Sequence, residues 1–325
     1  MRRFILKSTV PILILLWCGA APAQAPVREI SYEGNPKLLR FPPALYLGEV
    51  AGVSLNSKGH IFVFSRSGRE LLLEFDGNGS FIREIGKGVY AFTGPSSFGA
   101  HSVRVDRDDN VWAVDSESNM VIKFDPEGQV ALVLGRKPEP GQVRTPGSAP
   151  PAAQQGFFNG PTDIAFDSAG NSFISDGYRN SRIVKVDRNG KWVKTWGQKG
   201  SAPGEFSAPH SVATDSKGNV YVADRGNKRV QVFDNDGNFL NQWPADSQAI
   251  CISPGPNEVL YTTDNGRPIY KFDLHGKPLG VFGRQGTQAG EIGWVHQMVC
   301  PSENTIYIGE LLNWRLQKLT LHPER

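Results

Sequence analysis

Along most of the chain, apolar residues alternate with polar ones in short runs, and each run stops at a cluster of Asp, Asn or Gly. The stretch DSKGNVYVAD (215–224) has relatives in NSKGHIFVFS (56–65), DRDDNVWAVD (106–115), DSAGNSFISD (167–176), PGPNEVLYTTD (254–264) and PSENTIYIGE (301–310). A short apolar run precedes each copy. In most copies a third run follows, ending in Phe-Asp or Val-Asp, then a Gly-containing turn and a fourth run, as in RVQVFDNDGNFLNQW. Period-two alternation between such turns is the pattern of β-hairpins, and no stretch carries a convincing helical period. Four strands per unit and six units predict an all-β chain folded as a six-bladed β-propeller. Blade six lacks a clear fourth strand at RLQKLTLHPER. The N-terminal stretch 27–41 is expected to supply it and to close the ring without an open sheet edge.

The first residues break this pattern. MRRFILKSTVPILILLWCGAAPAQA places Arg2, Arg3 and Lys7 before an apolar run and small residues after it, the order of a secretory signal. We expect residues 1–23 to be removed, leaving 24–325 as one propeller domain, exported to the periplasm or the medium and free of the membrane. Removal takes three of the 35 basic residues and none of the 32 acidic ones, so the mature chain is formally neutral. That balance argues against a nucleic-acid partner. The remaining cysteines, Cys251 and Cys300, fall on first strands of neighbouring blades. Export allows a bridge, but packed thiols are the expectation. Trp112, Trp192, Trp196, Trp243 and Trp314 fall on strand positions and are expected to pack between blades.

Aligning the units on the residue that ends the second strand (Ser65, Asp115, Asp176, Asp224, Asp264, Glu310) brings out the chemistry. Fourteen residues earlier stand Ala51, His101, Thr162, His210, Ile250 and His296, with a one-residue insertion in blade five able to shift Ile250. Three of the six histidines thus occupy one structural position in blades two, four and six. In a closed ring alternate blades stand about 120° apart, so the three imidazoles converge on the axis. Such a set suits zinc, with a further coordination position left open. Singly, each histidine reads better as a turn cap or the lining of a polar channel, and only the three together point to a metal. Residues after the aligned position share the same opening and include Arg66, Tyr178 and Arg225. The long loop 135–160, rich in Pro, Gly and Ala, either rims this mouth or is a surface insertion.

The units resemble NHL repeats over nearly all of the mature chain, which implies a six-bladed propeller. A narrower resemblance rests on GAHSVRVDRDDNVWAVD, on PTD with SDGYRNSRIV, and on PHS with VADR. These phrases, with the three histidines, are similar to the peptidyl-α-hydroxyglycine α-amidating lyase family. The resemblance implies His101, His210 and His296 as zinc ligands and Tyr178 as a base or metal-proximal catalytic group. It implies Arg66 and Arg225 as the residues that hold a substrate carboxylate. It further implies a structural calcium on the axis, partly held by the backbone carbonyls of Val53 and Val103. The acidic ligand of that calcium is replaced here by the neutral Gln297, which puts the calcium in doubt. The family disulfides are absent, since Arg179 and Val232 stand at two of their positions.

The expected activity is cleavage of the N–C bond of a peptidyl-α-hydroxyglycine-type amide to an amide and glyoxylate, by a monomer acting on a small-molecule or peptide substrate. A phenol beside a metal and arginines is expected to have a depressed pKa, which suits Tyr178 as base. A different class of function, a non-catalytic exported propeller that binds a peptide, glycan or protein, predicts no dependence on the histidines. A metal-dependent hydrolase or lactonase is disfavoured by the absence of acidic ligands from the set.

Overall fold

The computed structural model describes residues 27–66, 69–90, 99–137, 154–265 and 267–322. Residues 1–23, expected to be a signal segment, and most of the long loop 135–160 lie outside the described residues. Six four-stranded antiparallel sheets follow one another around a ring, each running from an inner first strand to an outer fourth strand. Blade one is Glu49–Leu55, Ile61–Arg66, Leu71–Phe75 and Phe81–Ile85. Blades two to five have the same order, from first strands Ala100–Val105, Asp163–Phe166, Pro209–Thr214 and Ala249–Ile252. Blade six runs Val295–Ser302, Thr305–Glu310 and Arg315–His322, and its outer strand is Ser31–Asn35 from the N-terminal end, paired Ser31 to His322 through Asn35 to Lys318. The expected ring closure is therefore present.

Burial explains the alternation. The six apolar clusters each lie between two adjacent blades. Phe62 and Phe64 of one strand face blade two with Val111 and Ala113, while Ile61 and Val63 of the same strand face Leu316 of blade six. Second strands are consequently buried on both faces, whereas outer strands such as Trp192–Trp196 keep exposed positions. Turns follow the Asp-x-x-Gly pattern: Asp76 Oδ1 accepts the backbone N–H groups of Asn78 and Ser80, and Gly79 takes a φ of 83°. A side chain at Gly79 would place Cβ 1.9 Å from the Leu38 carbonyl oxygen, so both its conformation and its surroundings require glycine.

Two expectations are corrected. Cys251 and Cys300 form a disulfide between blades five and six, because adjacent inner strands bring their Cα atoms to 6.0 Å, within bridging range. Trp314 is 56% exposed, since it lies in the turn before the third strand of blade six, at a φ of 49°.

Candidate metal centre and substrate pocket

His101, His210 and His296 enter the ring at β-bulges. The ladder between first and second strands slips between Ala100 and Ser102, between Pro209 and Ser211, and between Val295 and Gln297, leaving each histidine as the extra residue. A bulge re-aims its side chain, here toward the axis. The three rings stand 4.6, 4.7 and 4.9 Å apart between centroids, and one ligand atom from each lies within 4.8 Å of the others. All three are buried.

The other ring nitrogen of each histidine is fixed by the next blade. His101 Nδ1 lies 2.5 Å from the Thr162 carbonyl oxygen, His210 Nδ1 3.1 Å from that of Gln248, and His296 Nδ1 2.7 Å from that of Ala51. A carbonyl only accepts, so each Nδ1 carries the proton and each Nε2 presents a lone pair. Blades three and five have no bulge: Thr162 and Gln248 pair directly, their N–H groups donating to Ser175 and Thr263. Gln248, not Ile250, therefore occupies the ring position of blade five. The hairpin from Ile252 to Leu260 is two residues longer than the one from Thr214 to Val220, so the count from Asp264 slips by two.

The imidazoles are held neutral. Burial, reinforced by Arg66, pushes His101 down to about 3. Burial and the neighbouring imidazoles take His210 and His296 well below their ordinary value. Tyr178 Oη lies 2.8 Å from His101 Nε2 and 3.3 Å from His210 Nε2. Its single proton can satisfy only one of these nitrogens, so at least two buried lone pairs converge without a donor. Three neutral nitrogen donors with that deficit suit a borderline cation such as zinc.

Tyr178 follows Asp176 and Gly177. A side chain at Gly177 would bring Cβ to 1.8 Å from the Pro209 carbonyl oxygen, and Gly160, at a φ of 77°, accepts the Tyr178 N–H. These close contacts let the Tyr178 loop rest against the strand of His210. Part of the ring reaches solvent while its hydroxyl lies among the imidazoles. Burial of that end raises the phenol pKa, against the pull of Arg66 and Arg225. The depressed pKa expected of Tyr178 is thus reversed among the protein groups alone.

Arg66, Arg225, Tyr178, His210 and His296 line one cavity of about 210 Å³. Neither arginine is a loose rim charge. Arg66 is 4% exposed, with Nε 2.8 Å from Glu49 Oε2 and Nη1 3.3 Å from the Ala100 carbonyl oxygen. Arg225 begins a short 3₁₀ turn, approaches Asp264 Oδ1 at 3.3 Å, and stacks its guanidinium 5.7 Å from the centre of the Trp294 ring. Sequence reasoning missed Glu49, Trp294 and Gln248. The pairing Glu49↔Arg66 sits within one hairpin, but Trp294 lies in an interblade connection that no repeat alignment highlights. Asn180 and Arg182, in the DGYRNSR phrase, serve Asp176 instead: its Oδ2 accepts from both, while its Oδ1 accepts the Asn159 N–H. Asp224 with Arg229 and Glu310 with Arg315 repeat this clasp.

Beneath the imidazoles, Val53 and Val103 are fully buried, and their N–H groups donate to Gln297 Oε1 at 2.8 and 3.2 Å. Gln297 Nε2 reaches Asp163 Oδ1 at 3.3 Å. The Asp163 carboxylate is met by Arg104 through two bonds of 3.0 and 2.7 Å and by Ser211 Oγ at 2.6 Å. The Asp163 carboxylate already has a cation in Arg104, and the Gln297 oxygen is engaged, so the donor set does not suit a calcium ion.

The chain is a six-bladed β-propeller with a three-histidine cluster on its axis, and an NHL-repeat family model matches residues 206–233. Within that class it is similar to peptidyl-α-hydroxyglycine α-amidating lyases. The probable peptidyl-α-hydroxyglycine α-amidating lyase of Caenorhabditis elegans is 32% identical over 212 residues, covering 59% of this chain and 57% of that protein. Peptidylglycine alpha-amidating monooxygenase of Rattus norvegicus is 29% identical over 332 residues, 86% of this chain and 31% of the rat protein. The chain thus spans about a third of the latter's length and just over half of the former's. Virginiamycin B lyase from Staphylococcus aureus matches with a TM-score of 0.58 at 13% identity, over 90% of this chain and all of that one, a likeness of fold alone.

Proposed function

We propose that this propeller is a zinc-dependent lyase that splits the N–C bond of an N-acyl-α-hydroxyglycine, or a peptide ending in one, to an amide and glyoxylate. The observation that carries the reading is the convergence of three Nε2 lone pairs whose Nδ1 protons are all committed to backbone carbonyls. His101, His210 and His296 would hold the ion. Zinc, when bound, supplies a Lewis acid that makes a hydroxyl easier to deprotonate.

The chain's own residues supply the rest. Arg225, over the Trp294 ring, and Arg66, braced by Glu49, present guanidinium groups to the cavity. Their forked donors suit a carboxylate. Tyr178 Oη is the proton station. As the C–N bond breaks and its electron pair leaves on nitrogen, the phenol gives its own proton to that nitrogen and takes the hydroxyl proton of the substrate in its place. The carbinol carbon becomes the aldehyde of glyoxylate, and charge and atoms balance. Tyr178 Oη stands 2.8 Å from His101 Nε2, so a dication held by the imidazoles would oppose the effect of burial on the phenol. We further infer that no calcium sits on the axis, with Arg104 occupying the electrostatic role of a cation toward Asp163.

The test is elemental analysis of the purified mature chain together with glyoxylate release from α-hydroxyhippurate. One zinc per chain and release that His210→Ala abolishes together with the zinc are expected. Stoichiometric zinc with no release above the His210→Ala background would overturn the lyase reading.

A further inference from the structure

We propose that Gln248 is a substrate-binding residue, whose side-chain amide donates to the carboxylate that Arg225 draws into the cavity; this rests on the lyase reading above. Gln248 is fully buried, directly precedes the first strand of blade five, and lines the cavity with Arg225 and Trp294. Its main chain is committed, the N–H to the Thr263 carbonyl and the C=O to His210 Nδ1. Its Oε1 accepts the Trp294 indole N–H at 2.7 Å. An indole nitrogen can only donate, so the oxygen end of the amide must face Trp294, and this settles which end is nitrogen.

Nε2 then carries two hydrogens with no acceptor among the described residues. The other buried glutamines make the contrast. Gln231 Nε2 donates to the Glu205 carbonyl and Asp224, Gln317 Nε2 to the Glu291 carbonyl and Glu310, and Gln297 Nε2 to Asp163. Gln248, which alone among them lines the cavity, also alone lacks an acceptor. A buried amide without an acceptor is a standing cost to the fold, and a ligand that supplies one removes it. The remaining groups on this wall select the ligand. Arg225 is cationic and Trp294 has spent its only donor, so the fitting acceptor is anionic and carries two oxygens, one for the guanidinium and one for the amide. A carboxylate meets both demands. The braced amide also ties recognition to the metal ring, because the backbone of the same residue fixes the His210 tautomer.

The experiment uses the zinc-loaded mature chain and two ligands: α-hydroxyhippurate for turnover, and hippurate, which lacks the hydroxyl, for calorimetric binding. Gln248→Glu keeps an oxygen for Trp294 but removes the donor; Gln248→Leu removes both. Each is expected to raise KM and weaken hippurate binding by about 10- to 100-fold. Turnover number should stay within about threefold, and zinc content should not change. If Gln248→Glu matches the wild type in KM and hippurate affinity, the side chain only braces Trp294 and the proposal is overturned. Should that variant fail to fold, Gln248→Leu decides in the same way. A wild type that neither releases glyoxylate nor binds hippurate removes the lyase reading and this assignment together, whereas an active wild type beside unaffected variants removes the assignment alone.

Discussion

His296 Nδ1 lies 2.7 Å from the carbonyl oxygen of Ala51, across the seam where the last blade meets the first. The two residues are 245 positions apart in sequence, and only ring closure brings them together. The same relation links His101 to Thr162 and His210 to Gln248, so every imidazole is oriented by the blade that follows it. The set of three oriented imidazoles is complete only in the closed ring. The outer hydrogen bond of a metal-binding histidine sets its tautomer and basicity, and here a backbone carbonyl at the inner edge of the next blade is in place to provide it.

Tyr178→Phe removes Oη and leaves the imidazoles in place. Turnover number is expected to fall by about 10²- to 10⁴-fold, with zinc content unchanged, as read by single-turnover glyoxylate release and elemental analysis. Activity within a few-fold of wild type would assign the proton transfer to another group.

Acid should loosen the chelator-treated protein. Unfolded histidine takes a proton near pH 6.5, whereas His101 resists protonation down to about 3, and His210 and His296 are also held well below 6.5. Between these limits the unfolded chain binds more protons, so stability rises with pH and is lost as pH falls below about 6.5. Each imidazole contributes a slope of up to about 1.4 kcal/mol per pH unit. Urea midpoints measured from pH 7.5 down to 5 check this; a flat profile would mean that the rings take up protons in place.

Arg104→Met leaves the Asp163 carboxylate buried without its guanidinium, which should cost about 3–5 kcal/mol in urea unfolding. Calcium chelation of the wild type is expected to leave the melting temperature unchanged. A chelator-dependent fall in melting temperature would restore the axial calcium.

Replacing Cys251 and Cys300 together by alanine opens a cross-link between residues 49 apart. A loss of about 2–4 kcal/mol is expected from the greater freedom of the unfolded chain. An oxidised wild type no more stable than the double variant would contradict it.

The architecture was legible because a propeller repeats its grammar six times, and a hairpin pattern such as DSKGNVYVAD carries its own turn chemistry. Three histidines on alternate blades were legible for the same reason: a constant offset of fourteen residues reports a constant place in the ring. What escaped was set by register and by long-range packing. Gln248 was hidden because the first hairpin of blade five is two residues longer than that of blade four. Cys251 and Cys300 were underdetermined, since alternation says which strand each occupies and not whether neighbouring strands meet at the same height. The rise of the Tyr178 phenol among the protein groups was not legible because the arginines are visible in sequence while the burial that outweighs them belongs to the fold. Asn180 and Arg182 match a family phrase yet serve an interblade clasp, so part of that resemblance is architectural.

The strand Ser31–Asn35 completes blade six by pairing with Arg315–His322, so the two ends of the domain meet in one sheet. A molecule cut back past residue 35 would present the row of backbone groups that strand now covers, and the nearest substitute would be the same strand of an intact neighbour. Trimming near the N-terminus is therefore a route to strand-swapped dimers and longer assemblies, even though it removes nothing that touches the axis.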